Sequence, residues 1–349
     1  MRAVHTLLLA ALALPAGAGT QPTRDPLDAP AAPTRLAAST QLSGVTQAGN
    51  RLVAVGIRGL IVTSDDGGAT WSQRPAPVSS DLLAVHFPTP ALGWAVGHDG
   101  VVLHSADGGA SWVKQFDGRQ AAQQLTAHFK RLADGGDKVA ARLLEDTRLN
   151  YENGPEQALL DVWFEDAQHG FVCGSFGTLF ATSDGGKSWQ SWVEKVEADN
   201  ALHLNAIRGV GDDIYIASEK GIVFRLDRAR QRFVRTDTGY AGSFFTLAGN
   251  GGIVLAGGLR GTAYRSADQG KTWQKLDTGT NASITGAAAP RDRLLLVSQN
   301  GSLLVSDDAG ASFRRLRVPR PSVLSGIVQS APGKAVVVGA NGVQQVALQ

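Results

Sequence analysis

Five aspartates, Asp66, Asp107, Asp184, Asp268 and Asp308, recur at matching places in the chain, each inside an octapeptide with a fixed order of residue types. The order is Ser or Thr, any residue, Asp, any, Gly, any, Ser or Thr, then Trp or Phe. Its copies close on Trp71, Trp112, Trp189, Trp273 and Phe313. A catalytic carboxylate pair stands once, at one place, whereas these carboxylates are spread along the whole chain. The pattern therefore predicts a structural role: Asp accepting backbone N–H groups in a tight hairpin, Gly taking positive φ, and the aromatic ring packing between repeats. Gly186-Lys187-Ser188 and Gly270-Lys271-Thr272 look like phosphate-loop tails, but Ala181 and Arg265 stand where the earlier glycine is required. The seven histidines contain no HxxxH or HExxH pair, so no metal site is expected. The single cysteine, Cys173, excludes a disulfide framework and alternates with apolar neighbours as a small buried residue would. No catalytic residue, metal or cofactor is expected.

The elements that position these residues follow from composition and repeats. The chain has 349 residues, 43% hydrophobic and 18% charged, enough to bury a sizeable core. A net charge of +2 gives no basic stripe for nucleic acid. Residues 1–18 read as a signal peptide: Arg2, an apolar Leu7 to Leu14, and a small-residue end at Ala16-Gly17-Ala18. No cysteine follows it, which argues against a lipid anchor. Residues 19–33, with Pro22, Pro26, Pro30 and Pro33, read as an extended leader. No later stretch is long and apolar enough to span a bilayer, so the mature chain is expected to be a periplasmic or secreted monomer without direct membrane insertion.

Ahead of each octapeptide, apolar residues alternate with period two, as in Leu83 to Phe87 and Leu160 to Phe164, which predicts strands. Four short antiparallel strands per roughly 40 residues make a propeller blade. Seven units start near Leu42, Leu83, Leu160, Leu204, Phe245, Ile284 and Leu324. The fourth has a decayed octapeptide, Leu226 to Phe233, with Arg228 and Arg230 in place of Asp and Gly. The fold class is all-β: a seven-bladed propeller of four-stranded antiparallel blades over 34–349, with a helical insertion at 117–155 between blades 2 and 3. The last unit ends after its third strand, and Thr34 to Thr40 is expected to supply the missing outer strand. Within the insertion, Gln120 to Ala133 and Lys138 to Leu149 have helical spacing around Gly135-Gly136, reading as a cap over the channel or a docking arm.

In such a meander, the second hairpins and the connections between blades share one face. There the sequence places Arg58, His98, Phe176, Lys220 and Arg260, each at or beside a turn glycine. The three cations suit carboxylates on a partner chain. The channel mouth is expected to be lined by Ser43, Ala84, Asp161, Asn205, Thr246, Thr285 and Ser325. Asp161 is the only charge among them and reads as structural or as a ligand contact.

The octapeptide matches the Asp-box, or BNR repeat, of sialidases and other propellers. Likeness to sialidases would imply an arginine triad, a Tyr–Glu pair and an Arg-Ile-Pro motif. That motif is absent, and Tyr151, Tyr215, Tyr240 and Tyr264 have no evident glutamate partner. Leu159 to Phe164, Gly170 to Gly174, Gly177 and Thr182 to Trp189, echoed by Leu83 to Phe87, Gly93 to Gly97, Gly100 and Ser105 to Trp112, resemble the photosystem II stability/assembly factor family. The resemblance implies a non-enzymatic exported propeller that escorts a membrane or envelope protein. The alternative is a sialidase-like glycoside hydrolase or a glycan-binding propeller. The insertion and the decayed fourth octapeptide depart from the family pattern and argue against a photosystem client.

Overall fold

The computed structural model describes residues 24–198, 201–291 and 293–349. The period-two segments become short antiparallel strands gathered into seven sheets. Blade 1 holds β1 (Leu42–Ala48), β2 (Arg51–Gly56), β3 (Ile61–Ser64) and β4 (Ser72–Arg74). Blade 2 holds β5 (Leu82–His86), β6 (Gly93–Gly97), β7 (Val102–Ser105) and β8 (Val113–Phe116). Two helices follow, α1 (Gly118–Asp134) and α2 (Lys138–Asn150). Blade 3 holds β9 (Leu159–Phe164), β10 (Gly170–Gly174), β11 (Leu179–Thr182) and β12 (Gln190–Ser191). Blade 4 holds β13 (Leu204–Val210), β14 (Asp213–Ser218), β15 (Ile222–Asp227) and β16 (Arg232–Asp237). Blade 5 holds β17 (Phe244–Asn250), β18 (Ile253–Gly258), β19 (Ala263–Ser266) and β20 (Gln274–Leu276). Blade 6 holds β21 (Ile284–Ala288), β22 (Leu294–Ser298), β23 (Leu303–Ser306) and β24 (Arg314–Leu316). Blade 7 holds only β25 (Leu324–Ala331), β26 (Lys334–Gly339) and β27 (Gly342–Ala347).

The expected fourth strand of blade 7 does not form from residues 34–40. Ala37–Ser39 is instead a 3-10 turn. The Leu36 carbonyl accepts from the amides of Ser39 and Thr40, both at 2.9 Å, and from both hydroxyls. Local hydroxyl and amide bonds have outcompeted a ladder. The ring closes by side-chain packing: Ala37, Leu42, Leu60 and Val62 share a cluster with Val338 and Val343. Gln345 Nε2 adds a bond to the Gly67 carbonyl at 2.9 Å.

Residues 24–33 form a strap across blades 1 and 2. Leu27 is 1% exposed and packs with Val53, Val78, Leu103 and Trp112. Arg119 at the start of α1 holds Asp25 at 2.5 Å and Asp28 at 2.9 Å. Residues 1–18 and the beginning of the leader lie outside the described residues.

The repeated corners are built as their residues dictate. Asp66 Oδ2 accepts from the Thr70 hydroxyl at 2.6 Å, while its Oδ1 accepts from the Thr70 amide at 2.9 Å and the Ser64 hydroxyl at 2.7 Å. The Ser64 hydroxyl in turn accepts from the Gly68 amide at 2.8 Å. The same four bonds recur at Asp107, Asp184, Asp268 and Asp308. The Thr272 and Ser312 hydroxyls hold the Asp268 and Asp308 carboxyls down to about 2. At Asp107 partial burial opposes the shift, but the Ser111 hydroxyl and amide overcome it, again to about 2. Gly68, Gly109, Gly186, Gly270 and Gly310 all take positive φ. Where the corner has decayed, blade 4 substitutes ladder for latch: its outer strand β16 has 6 residues, against 2 to 4 in the other outer strands.

The closing aromatics then join neighbouring blades. Trp189 packs on Phe116 of β8, with ring centroids 6.2 Å apart, and Trp112, edge-on to Phe87 of its own blade at 5.9 Å, shares a cluster with Val53 and Ile61 of blade 1. Both are buried, whereas Trp71 is only half-buried. Trp189→Ala should lower unfolding free energy by about 3–5 kcal/mol in a urea titration, and Trp71→Ala by visibly less. The depressed Asp107, Asp268 and Asp308 carboxyls stabilise the fold above the unfolded value near 4. That contribution should vanish as pH falls from about 4 to about 2, read as a steep drop in melting temperature across this window.

Candidate functional site

Three regions of one face could carry function: the hairpin tips, the insertion beside them and the channel mouth. The tips between second and third strands place Arg58, Asp99, Phe176, Lys220 and Arg260 in the left-handed region, with φ between 53° and 59°. A non-glycine residue there stores about 1 kcal/mol of strain, so the surroundings must hold it. They do so through its amide. The Arg58 amide donates to Asp81 Oδ1 at 2.7 Å, the Phe176 amide to His203 Nδ1 at 3.1 Å, and the Arg260 amide to Ser283 Oγ at 3.4 Å. Each acceptor sits just before the next blade, so these three tips are braced by their neighbours. His98 is exposed one residue before the left-handed Asp99, whose carboxylate accepts from Ser80 at 2.6 Å. Arg58, Lys220 and Arg260 are exposed and, among the described residues, have no carboxylate within ion-pair reach.

The insertion forms the expected pair of helices. Asp117 caps α1, accepting from Arg119 and Gln120 amides while Gln120 reaches back to the Asp117 amide. The apolar faces, Ala121, Leu125 and Phe129 with Ala140 and Leu144, join Phe116, Phe180 and Trp189 in one core cluster. His128 pairs with Glu194 of blade 3 at 2.9 Å. No residue of the insertion lines the channel; the pair leans on the outer part of blades 2 and 3, where its apolar face finds a seat. Beside it an apolar groove of about 130 Å³ runs between Val139 and Leu143 of α2 and Phe176, Val196 and Leu204 of the blades.

The channel mouth differs from expectation in register. Each inner strand carries a bulge after its first residue. Ser43, Leu83, Leu160, Asn205, Phe245, Thr285 and Ser325 occupy the bulge, and Gly44, Ala84, Asp161, Ala206, Thr246, Gly286 and Gly326 the next ring. The expected lining mixes these two rings, because a bulge inserts one residue and breaks the period-two count. The outer ring is therefore partly apolar, with Phe245 37% exposed. The inner ring is small so that strands can converge: a Cβ on Gly286 would lie 2.8 Å from the Ser325 carbonyl oxygen.

Asp161 is the exception in that ring. It is 4% exposed and accepts from the Val162 and Ile207 amides at 2.9 Å each, and from Arg208 Nη1 at 2.5 Å. Sequence reasoning missed Arg208, although a signal was present: it and Asp161 are the only Asp, Glu, Lys or Arg residues on the seven described inner strands. Nearby, His86 stacks on Trp163 at 4.2 Å, its Nε2 lying 3.1 Å from the Phe164 carbonyl oxygen. Burial pushes that imidazole down to about 3, and the Arg208 charge adds to the effect. Burial likewise pushes the Cys173 thiol up, which leaves it unreactive.

With this geometry in place, known proteins give the chain its relatives. The model for photosynthesis system II assembly factor YCF48 matches residues 45–120 and 144–238, and the BNR/Asp-box repeat model matches 264–275. The chain belongs to the photosystem II assembly factor-like family of BNR propellers. The photosystem II assembly lipoprotein Ycf48 of Synechococcus sp. (strain CC9902) is 32% identical over 148 residues, covering 41% of each chain. The chain thus aligns with less than half the length of that curated relative. A solved structure described as YCF48 bound to D1 peptide superposes with a TM-score of 0.64 at 17% identity, covering 90% of this chain and 96% of the other. YCF48 from Cyanidioschyzon merolae gives 0.61 at 17% identity with the same coverage. These two likenesses bear on the fold. Residues 121–143 fall between the matched blocks, so much of the helical pair lies outside the family model.

Asp161→Ala would leave Arg208 without its partner, and should cost about 3 kcal/mol in a urea titration. Replacing Asp161 and Arg208 together by Leu and Met should recover most of that loss.

Proposed function

We propose that this protein is a non-enzymatic assembly or scaffold factor that holds a segment of a membrane or envelope protein on the face of the braced hairpin tips. The observation that carries the reading is the set of unpaired cations, Arg58, Lys220 and Arg260, all at left-handed tips, two of which, Arg58 and Arg260, are braced by the next blade. A guanidinium kept in place by its backbone loses little freedom when it takes a client carboxylate. Family membership supports the same role, since the relatives are named as assembly factors and one solved relative is described with a D1 peptide bound.

The geometry of the carboxylates supports the non-enzymatic half of the reading. All five Asp-box carboxylates are turned into their own hairpins. Asp161 is engaged by two amides and a guanidinium, so none of these six carboxyl groups is available as one of a glycosidase's pair. Export through residues 1–18 belongs to the same proposal, and the relative's name as a lipoprotein supports it.

The test is recovery of crosslinked envelope proteins with the wild type and with the Arg58/Lys220/Arg260 triple alanine variant. At about 0.5 kcal/mol per exposed charge pair, the variant should bind its client about tenfold more weakly, and the wild-type affinity should fall with salt. Equal recovery removes the tips from the site. Turnover of a fluorogenic glycoside that depends on one Asp or Glu overturns the reading as a whole.

A further inference from the structure

Blade 7 is one strand short. In each of the other six blades an outer strand pairs with the third; beside β27 no strand lies among the described residues. The Leu348 amide donates to the Gly333 carbonyl at 2.9 Å, which fixes the hydrogen-bonding phase of the β26–β27 ladder. Residues 342, 344, 346 and 348 bond inward, so the backbone N–H and C=O groups of Val343, Gln345 and Ala347 point outward. Arg320 Nη2 occupies the Val343 carbonyl at 2.9 Å. The outward groups of Gln345 and Ala347 have no partner among the described residues, and both residues are exposed.

The vacancy has the shape of a site. An open slot of about 400 Å³ runs along this edge between β27, the Asp-box corner of blade 1 and the turn at residues 35–39. Trp71 lines it half-buried. At the equivalent place Trp189 meets Phe116 of the preceding blade's outer strand, so Trp71 lacks the apolar partner that a fourth strand would bring. The only charged residues lining the slot are Arg35 and Arg320; no carboxylate does. A second copy of this chain would bring the same two cations against themselves, which disfavours pairing of two such edges.

We propose that β27 accepts an extended, acidic segment of a partner polypeptide as the fourth strand of blade 7. Main-chain bonds to Gln345 and Ala347 hold the segment by strand addition. One apolar side chain of the segment packs on Trp71, as Phe116 does on Trp189, and its carboxylates face Arg35 and Arg320. The inference deepens the client-binding role but uses a different surface: loss of the tip cations should leave it intact, so failure of one does not carry the other.

A fluorescein-labelled hexapeptide alternating glutamate with valine and leucine, titrated into the full chain and followed by anisotropy, tests this. Saturable binding is expected, with exchange of the Gln345 and Ala347 amides slowed about tenfold or more by the peptide. Gln345→Pro removes an outward N–H that the β26 ladder does not use, so it should weaken binding about tenfold or more with little change in melting temperature. Arg35→Glu, on an exposed side chain, should weaken binding independently and serves if the proline variant does not fold. No binding up to about 1 mM, equal binding of a lysine-for-glutamate peptide, or indifference to both variants overturns the proposal. Protection of the same amides without peptide also overturns it, giving the edge to a segment of this chain, or to a second copy if sedimentation shows a dimer.

Discussion

The bond that everything else leans on is the one between each Asp-box carboxylate and the hydroxyl four residues later, near 2.6 Å in all five corners. Outer strands of 2 to 4 residues offer too few ladder bonds to fix their own position. The corner does it for them. It clamps the hairpin from inside and sets the angle at which the following indole meets the adjacent blade. Blade 4 shows the exchange directly: without the latch, its outer strand had to lengthen to 6 residues.

Much of the architecture was legible because it repeats. The five corners, the seven units and the helical pair each rest on a pattern carried by residues close together in the sequence. What escaped was not local. The bulge on every inner strand shifts the count by one, so a two-residue period could not tell the Ser43 ring from the Asp161 ring. Arg208 was readable only as one half of a charge pair across two blades. Residues 34–40 alternate poorly, and nothing in them announced that the Leu36 carbonyl would gather two amides and two hydroxyls. The prolines of the leader suggested an extended segment, and nothing in them showed that Leu27 would anchor it in the blade 1–2 core. Proline keeps this segment out of a ladder; it does not exclude packing.

The latches and the strained tips are separated by face. One face carries the latches, with their carboxylates satisfied within their own turns. The other carries the strained tips, the groove under α2 and the partly apolar channel mouth, where side chains remain available. Bracing of one tip by the next blade ties that tip to the scaffold, since such a tip keeps its shape only while its neighbour is docked.

Closure at the seam has a kinetic side. Gln345 and Gly67 are 278 positions apart in the sequence, and the Val343 and Ala37 that meet there are farther apart still. Bringing such remote stretches together is entropically slow compared with folding any single sector. A chain emerging from its amino end therefore waits with the flank of its first sector, around Leu42 and Val62, open to water until the final residues arrive. During that interval the half-built ring is sticky, and a holding chaperone would find its substrate there.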